Sequence, residues 1–176
     1  KAINFYNSNS STNTNNNLNT NESSAEGITF SISHNSTNTN NSIIANGSDS
    51  SGIEILNSEN SQNINNNMIT VSNAAYGMYL SNAVYSRNIN NNITTSGSSS
   101  NGIIMINSHN SNNTDNEIYA RGTSAHAIYA LATHNLTNAN NIITTQGNSG
   151  IGIYFSNSDH SKNSNNIINT LRTNAP

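Results

Sequence analysis

Apolar residues recur along this chain in a fixed order: a small residue, an apolar one, a polar one and a second apolar one. The small residue is Ala2, Gly27, Gly52, Gly77, Gly102, Ala127 and Gly152, a spacing of 25 with no insertion or deletion, so seven units fill the 176 residues. The next position is Ile3, Ile28, Ile53, Met78, Ile103, Ile128 and Ile153, and two further on stand Phe5, Phe30, Ile55, Leu80, Met105, Ala130 and Phe155. A period of two puts both columns on one face of an extended chain and predicts a strand. A third apolar column follows at Leu18, Ile43, Met68, Ile93, Ile118, Ile143 and Ile168. Two residues later come Thr20, Ala45, Thr70, Thr95, Ala120, Thr145 and Thr170. This predicts a second strand, small at its inner end, and there is room for a short third around Ile64 and Ile89.

Between the two strands lie two columns that are Asn in all seven units. One is Asn13, Asn38, Asn63, Asn88, Asn113, Asn138 and Asn163; the other is Asn16, Asn41, Asn66, Asn91, Asn116, Asn141 and Asn166. The column before the second reads Asn15, Asn40, Asn65, Asn90, Asp115, Asn140 and Asn165, which predicts a tight turn with left-handed backbone. A turn alone needs one or two such residues. An amide at the same address in every unit predicts stacking, each side chain donating to one neighbouring unit and accepting from the other.

A 25-residue unit of two or three short strands with stacked amides at a turn is one coil of a parallel β-helix. Helical solenoids are disfavoured, because their repeats are longer and follow a 3.6-residue period. The hexapeptide period of left-handed β-helices and the G-G-x-G-x-D calcium repeat are both absent, and parallel crossovers are usually right-handed. The expectation is therefore an all-β, right-handed parallel β-helix. At about 4.8 Å per coil, seven coils make a rod of roughly 34 Å. Burial of the three apolar columns contributes some tens of kcal/mol before entropy, as an upper bound. The first and last coils read like interior coils, without an amphipathic cap helix. Open β-edges of that kind are covered in natural solenoids. Residues 1–176 are therefore expected to be a single β-helix segment of a longer protein, or one whose ends meet copies of themselves.

Composition sharpens this picture. Asn occurs 43 times and Ser 29 times, while charged residues are 7% and the formal net charge is -3. Disordered chains typically carry more charge and Pro, and here Pro is a single residue. Five Lys and Arg cannot build the basic stripe that nucleic acid or acidic lipid needs. No apolar run approaches the 18 residues of a membrane span. The absence of Cys excludes a disulfide scaffold, a thiolate nucleophile and a Cys-based metal site.

Units such as Gly77-Met78-Tyr79-Leu80 with Ser86-Arg87-Asn88-Ile89-Asn90-Asn91-Asn92-Ile93, and Gly152-Ile153-Tyr154-Phe155 with Asn163-Ser164-Asn165-Asn166-Ile167-Ile168, resemble the parallel β-helix repeats of the pectin-lyase-like superfamily. The resemblance covers the whole chain. It implies a fold more than a function, because that superfamily includes polysaccharide lyases, glycosidases, epimerases, phage tailspikes and bacterial surface passengers. The low-charge, Asn/Ser/Thr-rich, Cys-free form is most similar to passenger regions of autotransporter-type surface proteins. It implies an extracellular or bacterial cell-surface location.

An enzyme of that superfamily would carry a charged cluster on adjacent coils of one exposed sheet, and glycoside cleavage needs two carboxyl groups about 5 to 9.5 Å apart. Glu54 and Glu59 share a coil but lie five residues apart, and no acidic neighbour is expected in the coils beside them. Asp115 and Glu117 flank the amide turn, where they would meet a cation or simply solvent. His34, His109 and His134 fall in one column with Glu59 and Asp159, and His160 sits one position along. His109 and His134, in adjacent coils, are the pair that could share a metal, although Glu59 and Val84 separate them from His34 and no three-His site forms. No catalytic residue, cofactor or metal is expected.

The outward column of the first strand is Asn4, Thr29, Glu54, Tyr79, Ile104, Tyr129 and Tyr154. Its last four members predict an exposed apolar ladder, broadened by Leu56, Ile106 and Leu131 and extended by Tyr76 and Tyr85. Such a stripe marks a contact surface, for sugar rings or a partner chain, or is covered by another segment of the protein. N-x-S/T triplets such as Asn35-Ser36-Thr37, Asn92-Ile93-Thr94 and Asn135-Leu136-Thr137 arise by chance at this composition.

The leading expectation is a non-enzymatic structural or adhesive stalk or passenger segment of a bacterial surface protein, meeting surface glycans or a host protein. The alternatives are a carbohydrate-binding or carbohydrate-active β-helix using Tyr79, Ile104, Tyr129 and Tyr154, and a subunit that associates laterally or end to end into a filament.

Overall fold

The computed structural model describes residues 1–171; the last five residues of the expected segment lie outside the described residues. Each coil contributes three strands, in the first coil Ile3–Tyr6, Thr12–Thr14 and Asn17–Thr20. In the seventh they are Ile153–Ser156, Lys162–Ser164 and Ile167–Leu171. Like strands of successive coils pair in parallel, giving three seven-stranded sheets. The register is constant from coil to coil, as in Ile3 with Ile28, Asn13 with Asn38 and Leu18 with Ile43. The short strand expected around Ile64 and Ile89 is the second sheet, which includes Gln62–Ile64 and Arg87–Ile89.

Two walls of the interior are apolar. Ile28, Ile53, Met78, Ile103 and Ile128 from the first sheet are fully buried beside Phe30, Ile55, Leu80, Met105 and Ala130, opposite Ile43, Met68, Ile93, Ile118 and Ile143 from the third. Phe5 and Phe30 stack at 4.7 Å between ring centroids. The inner-end residues of the third sheet are buried from Thr20 to Thr145, Thr170 in the seventh coil being exposed, and Thr70 and Thr95 donate their hydroxyls to the carbonyls of Ala75 and Ser100. The small-residue column marks where the chain enters the first sheet at close quarters. A Cβ at Gly77 would lie 2.6 Å from the Gly102 carbonyl oxygen and would press on Ile93.

The third wall is polar. Each strand of the second sheet has a single inward residue, and it is the first Asn column. Asn38, Asn63, Asn88, Asn113 and Asn138 have no exposed surface, and each Nδ2 donates to the Oδ1 one coil on at 2.7 to 3.2 Å. The second Asn column closes the turn. Asn66 Oδ1 accepts from both the backbone N–H and the Nδ2 of Asn41, while its own Nδ2 donates to Asn91 Oδ1 and to the Asn38 carbonyl. The intervening residue is left-handed in all seven coils, with φ between 53° and 58° from Asn15 to Asn165.

Two further ladders are built from hydroxyls. The backbone N–H groups of Ser8, Ser33, Ala83, Ser108 and Thr133 each donate to the hydroxyl of the residue 25 positions on. A second such column runs through Ser36, Ser111 and Ser161, which accept from Ser11, Ser86 and Leu136. These ladders satisfy buried donors at the turn between the first and second sheets, where left-handed residues recur at Asn7, Ile32 and Asn57 and again at Ser10, Asn35 and Asn60.

Candidate functional site

The outward face of the first sheet brings together most of the side chains capable of recognition chemistry. Its central column is in register from Asn4 through Thr29, Glu54, Tyr79, Ile104 and Tyr129 to Tyr154. The residues three positions earlier in each coil, among them Lys1, Glu26, Tyr76 and His126, form the edge beside it.

The expected exposed apolar ladder is more enclosed than its sequence suggests. Ile104 is 5% exposed, Tyr79 and Tyr129 are half-buried, and Tyr154 is the most open at 37%. The reason is aromatic packing at the coil repeat. Tyr129 and Tyr154 stack at 5.3 Å, and His126 lies nearly parallel to both at 5.7 and 5.5 Å. Tyr76 stacks on Tyr79 at 6.0 Å, repeating the same two positions two coils earlier. Ile104 sits between the two clusters as their floor rather than as a contact residue. Ring faces are largely turned on one another, so the surface offers phenol edges and hydroxyls more than open platforms for sugar stacking. Among the described residues, Tyr119 is the one tyrosine whose hydroxyl bonds the protein, to Glu117 at 2.7 Å, which pushes its pKa up. The hydroxyls of Tyr76, Tyr79, Tyr129 and Tyr154 are left for solvent or ligand. Tyr85 is 52% exposed and stands apart in a left-handed turn with φ 57°.

At the other end of this face is a charged group that the column-by-column expectation missed. Lys1 Nζ lies 3.3 Å from Glu54 Oε2 and 4.0 Å from Glu26 Oε2. Glu54 thus has an acidic neighbour, one coil back and three positions earlier, with the ammonium between the two. Thr29 Oγ1 also donates to Glu54 at 3.3 Å. Glu26 is 8% exposed and its Oε2 has no hydrogen-bond partner among the described residues, so Lys1 is what compensates its charge. Tyr76 bridges the charged and aromatic parts; burial first, then the carboxylate of Asp49 and neighbouring Tyr79, raise its pKa.

The histidines have a structural use that spacing alone did not show. Nδ1 of His34, His109, His126 and His134 accepts the backbone N–H one coil on, from Glu59, His134, Ile151 and Asp159, at 3.0 to 3.2 Å. Asn does the same at equivalent positions: Asn9 Oδ1 accepts from His34 N–H, and Asn101 Oδ1 from His126 N–H. Asn Oδ1 and His Nδ1 are both one bond beyond Cγ, so either reaches the same donor. The expected neighbours His109 and His134 do stack, at 5.0 Å. With Nδ1 accepting, however, the neutral ring carries its proton on Nε2, and neither nitrogen has a free lone pair for a metal. Among the described residues no group of three or more His, Asp or Glu is arranged to hold a metal ion. Glu117 is bonded to Tyr119, and Asp115 is an exposed left-handed turn residue.

The fold defines the chain as a parallel β-solenoid. No family model and no curated protein matches it. Among solved structures it is similar to the A-module of mannuronan C-5 epimerase AlgE4 of Azotobacter vinelandii, at 14% identity and a TM-score of 0.52, over 98% of this chain and 56% of that one. The AlgE6 A-module of the same organism aligns at 12% identity with a TM-score of 0.47, over 99% of this chain and 58% of that one. The chain spans little more than half the length of these structures, and the likeness at such identity is one of fold.

Proposed function

We propose that this chain is a non-enzymatic segment of an extracellular, surface-displayed β-solenoid, a rigid rod whose first sheet makes adhesive contact with a glycan. The observation that carries the reading is the aromatic and hydroxyl-bearing face of Tyr76, Tyr79, His126, Tyr129 and Tyr154, held at coil spacing on an otherwise Asn- and Ser-rich surface. Its imidazole and its carboxylates are engaged elsewhere, His126 on the Ile151 N–H and Glu26 and Glu54 on Lys1. The resemblance to autotransporter passengers supports the surface location. Retention of the purified chain on a polysaccharide panel tests the contact. Replacing Tyr79, Tyr129 and Tyr154 together by Ala should abolish retention while circular dichroism stays unchanged, and undiminished retention removes the site from consideration. The intact mass of the polypeptide from its native source tests the stalk, which requires a value well above 18.8 kDa.

A carbohydrate-active enzyme is the second reading, favoured by two carboxylates on adjacent coils beside aromatic side chains, in a fold shared with an epimerase module. Incubation with polysaccharides followed by proton NMR separates the two readings, since any change in sugar configuration or any new chain end would replace the non-enzymatic one.

A further inference from the structure

We infer that the first-sheet face selects uncharged glycans and rejects polyuronates. The inference rests on the glycan-contact reading above and adds the class of sugar. A uronate polymer carries one carboxylate per sugar, and a protein face that binds it needs cations free to meet those groups. Here the arrangement of charge is the opposite. Of the basic residues described, Arg87 and Lys162 lie on the second sheet and Arg121 follows the third-sheet strand Glu117–Ala120, with its guanidinium over the Tyr119 ring. Among the described residues the one basic side chain on the first-sheet face is Lys1, and it is already shared by two carboxylates. An approaching uronate would have to compete with Glu26 and Glu54 for it, and Glu26 is buried with no other partner for its Oε2.

The rest of the face is neutral. Partial burial among the tyrosines lowers the His126 pKa below the ordinary 6.5, so the ring adds no positive charge near neutral pH. The hydroxyls of Tyr76, Tyr79, Tyr129 and Tyr154 bond no described residue and are uncharged donors and acceptors, the complement of sugar hydroxyls. The exposed ring edges beside these hydroxyls supply apolar surface for the C–H groups of a sugar, while the ring faces stay stacked on one another. The carboxylates at one end thus act against acidic polymers, while the aromatic end attracts neutral ones.

The test is retention of the whole chain on immobilised neutral polymers (β-glucan, mannan and xylan) and on immobilised alginate, at low and at high salt. At least one neutral polymer should retain the chain about equally at both salt concentrations, and alginate should bind at least about tenfold more weakly at low salt, where repulsion is least screened. The double variant Glu26→Gln with Glu54→Gln, nearly isosteric, frees Lys1 and should raise alginate retention without loss on the neutral polymer. Tighter wild-type binding to alginate than to the neutral polymers, weakened by salt, would overturn the charge selection and leave the glycan contact standing. Retention on none of the four polymers would overturn both.

Discussion

Asn91 uses the full hydrogen-bonding capacity of its amide. Its Nδ2 donates to Asn116 Oδ1 and to the Asn63 carbonyl, and its Oδ1 accepts from the N–H and Nδ2 of Asn66. Truncation strands groups in the coils on either side within a site 1% exposed, so Asn91→Ala should lower unfolding free energy by about 1 to 3 kcal/mol. Urea denaturation measures this, and a loss within about 0.5 kcal/mol would mean that the stranded groups find water. His126 makes a different prediction at the same scale. Burial disfavours its charged form in the folded chain, so its contribution to stability is complete above the ordinary imidazole value near 6.5 and declines as pH falls below it. His126→Asn places an Oδ1 where Nδ1 now accepts from Ile151, as Asn101 does one coil earlier. The variant should fold at neutral pH and show a smaller drop in Tm between about pH 7 and pH 5 than the parent chain. Equal drops in both would show that His126 does not report on pH.

At the scale of the coil, the turn before the second Asn column combines two requirements that can be separated. Asn90 is left-handed, with φ 53°, and its Nδ2 donates to Asn65 Oδ1 at 2.8 Å on the surface. Ala and Gly both lose the side-chain bond, but only Ala meets the left-handed penalty. Asn90→Ala should therefore be about 1 kcal/mol less stable than Asn90→Gly; equal stabilities would locate the role of Asn90 in its amide. The strands and Asn ladders of this coil were legible in the sequence because period two and invariance over seven units are strong signals. The hydroxyl ladders were not, although Ser8, Ser33, Ser58, Ser108, Thr133 and Ser158 recur at the same spacing, with Ala83 the one interruption. Ser is also the common filler of turns, and the inward direction of its short side chain depends on left-handed residues such as Asn7 and Ile32, which hydropathy does not mark. The site was half legible. The tyrosine column follows from register alone, whereas Lys1, Glu26 and Glu54 meet on a diagonal that comparing like positions cannot find.

For the whole molecule, the spread of coupling follows from the topology. Every sheet pairs a strand only with its equivalents one coil before and after, and every ladder bond spans 25 or 28 residues. Energy should therefore propagate between nearest coils and little further, as in a one-dimensional array. Asn66 and Asn91 share two hydrogen bonds, so the second substitution of the pair loses less than the first. Asn66→Ala with Asn91→Ala should cost less than the sum of the single variants by about 1 kcal/mol or more. Asn16→Ala with Asn91→Ala, separated by two intervening coils, should be additive within about 0.5 kcal/mol. A double-mutant cycle in urea gives both quantities on the same chain. Strong coupling in the distant pair would show that the rod unfolds through a rearrangement shared by many coils, and that its ladders act as one continuous element rather than as a series of local links.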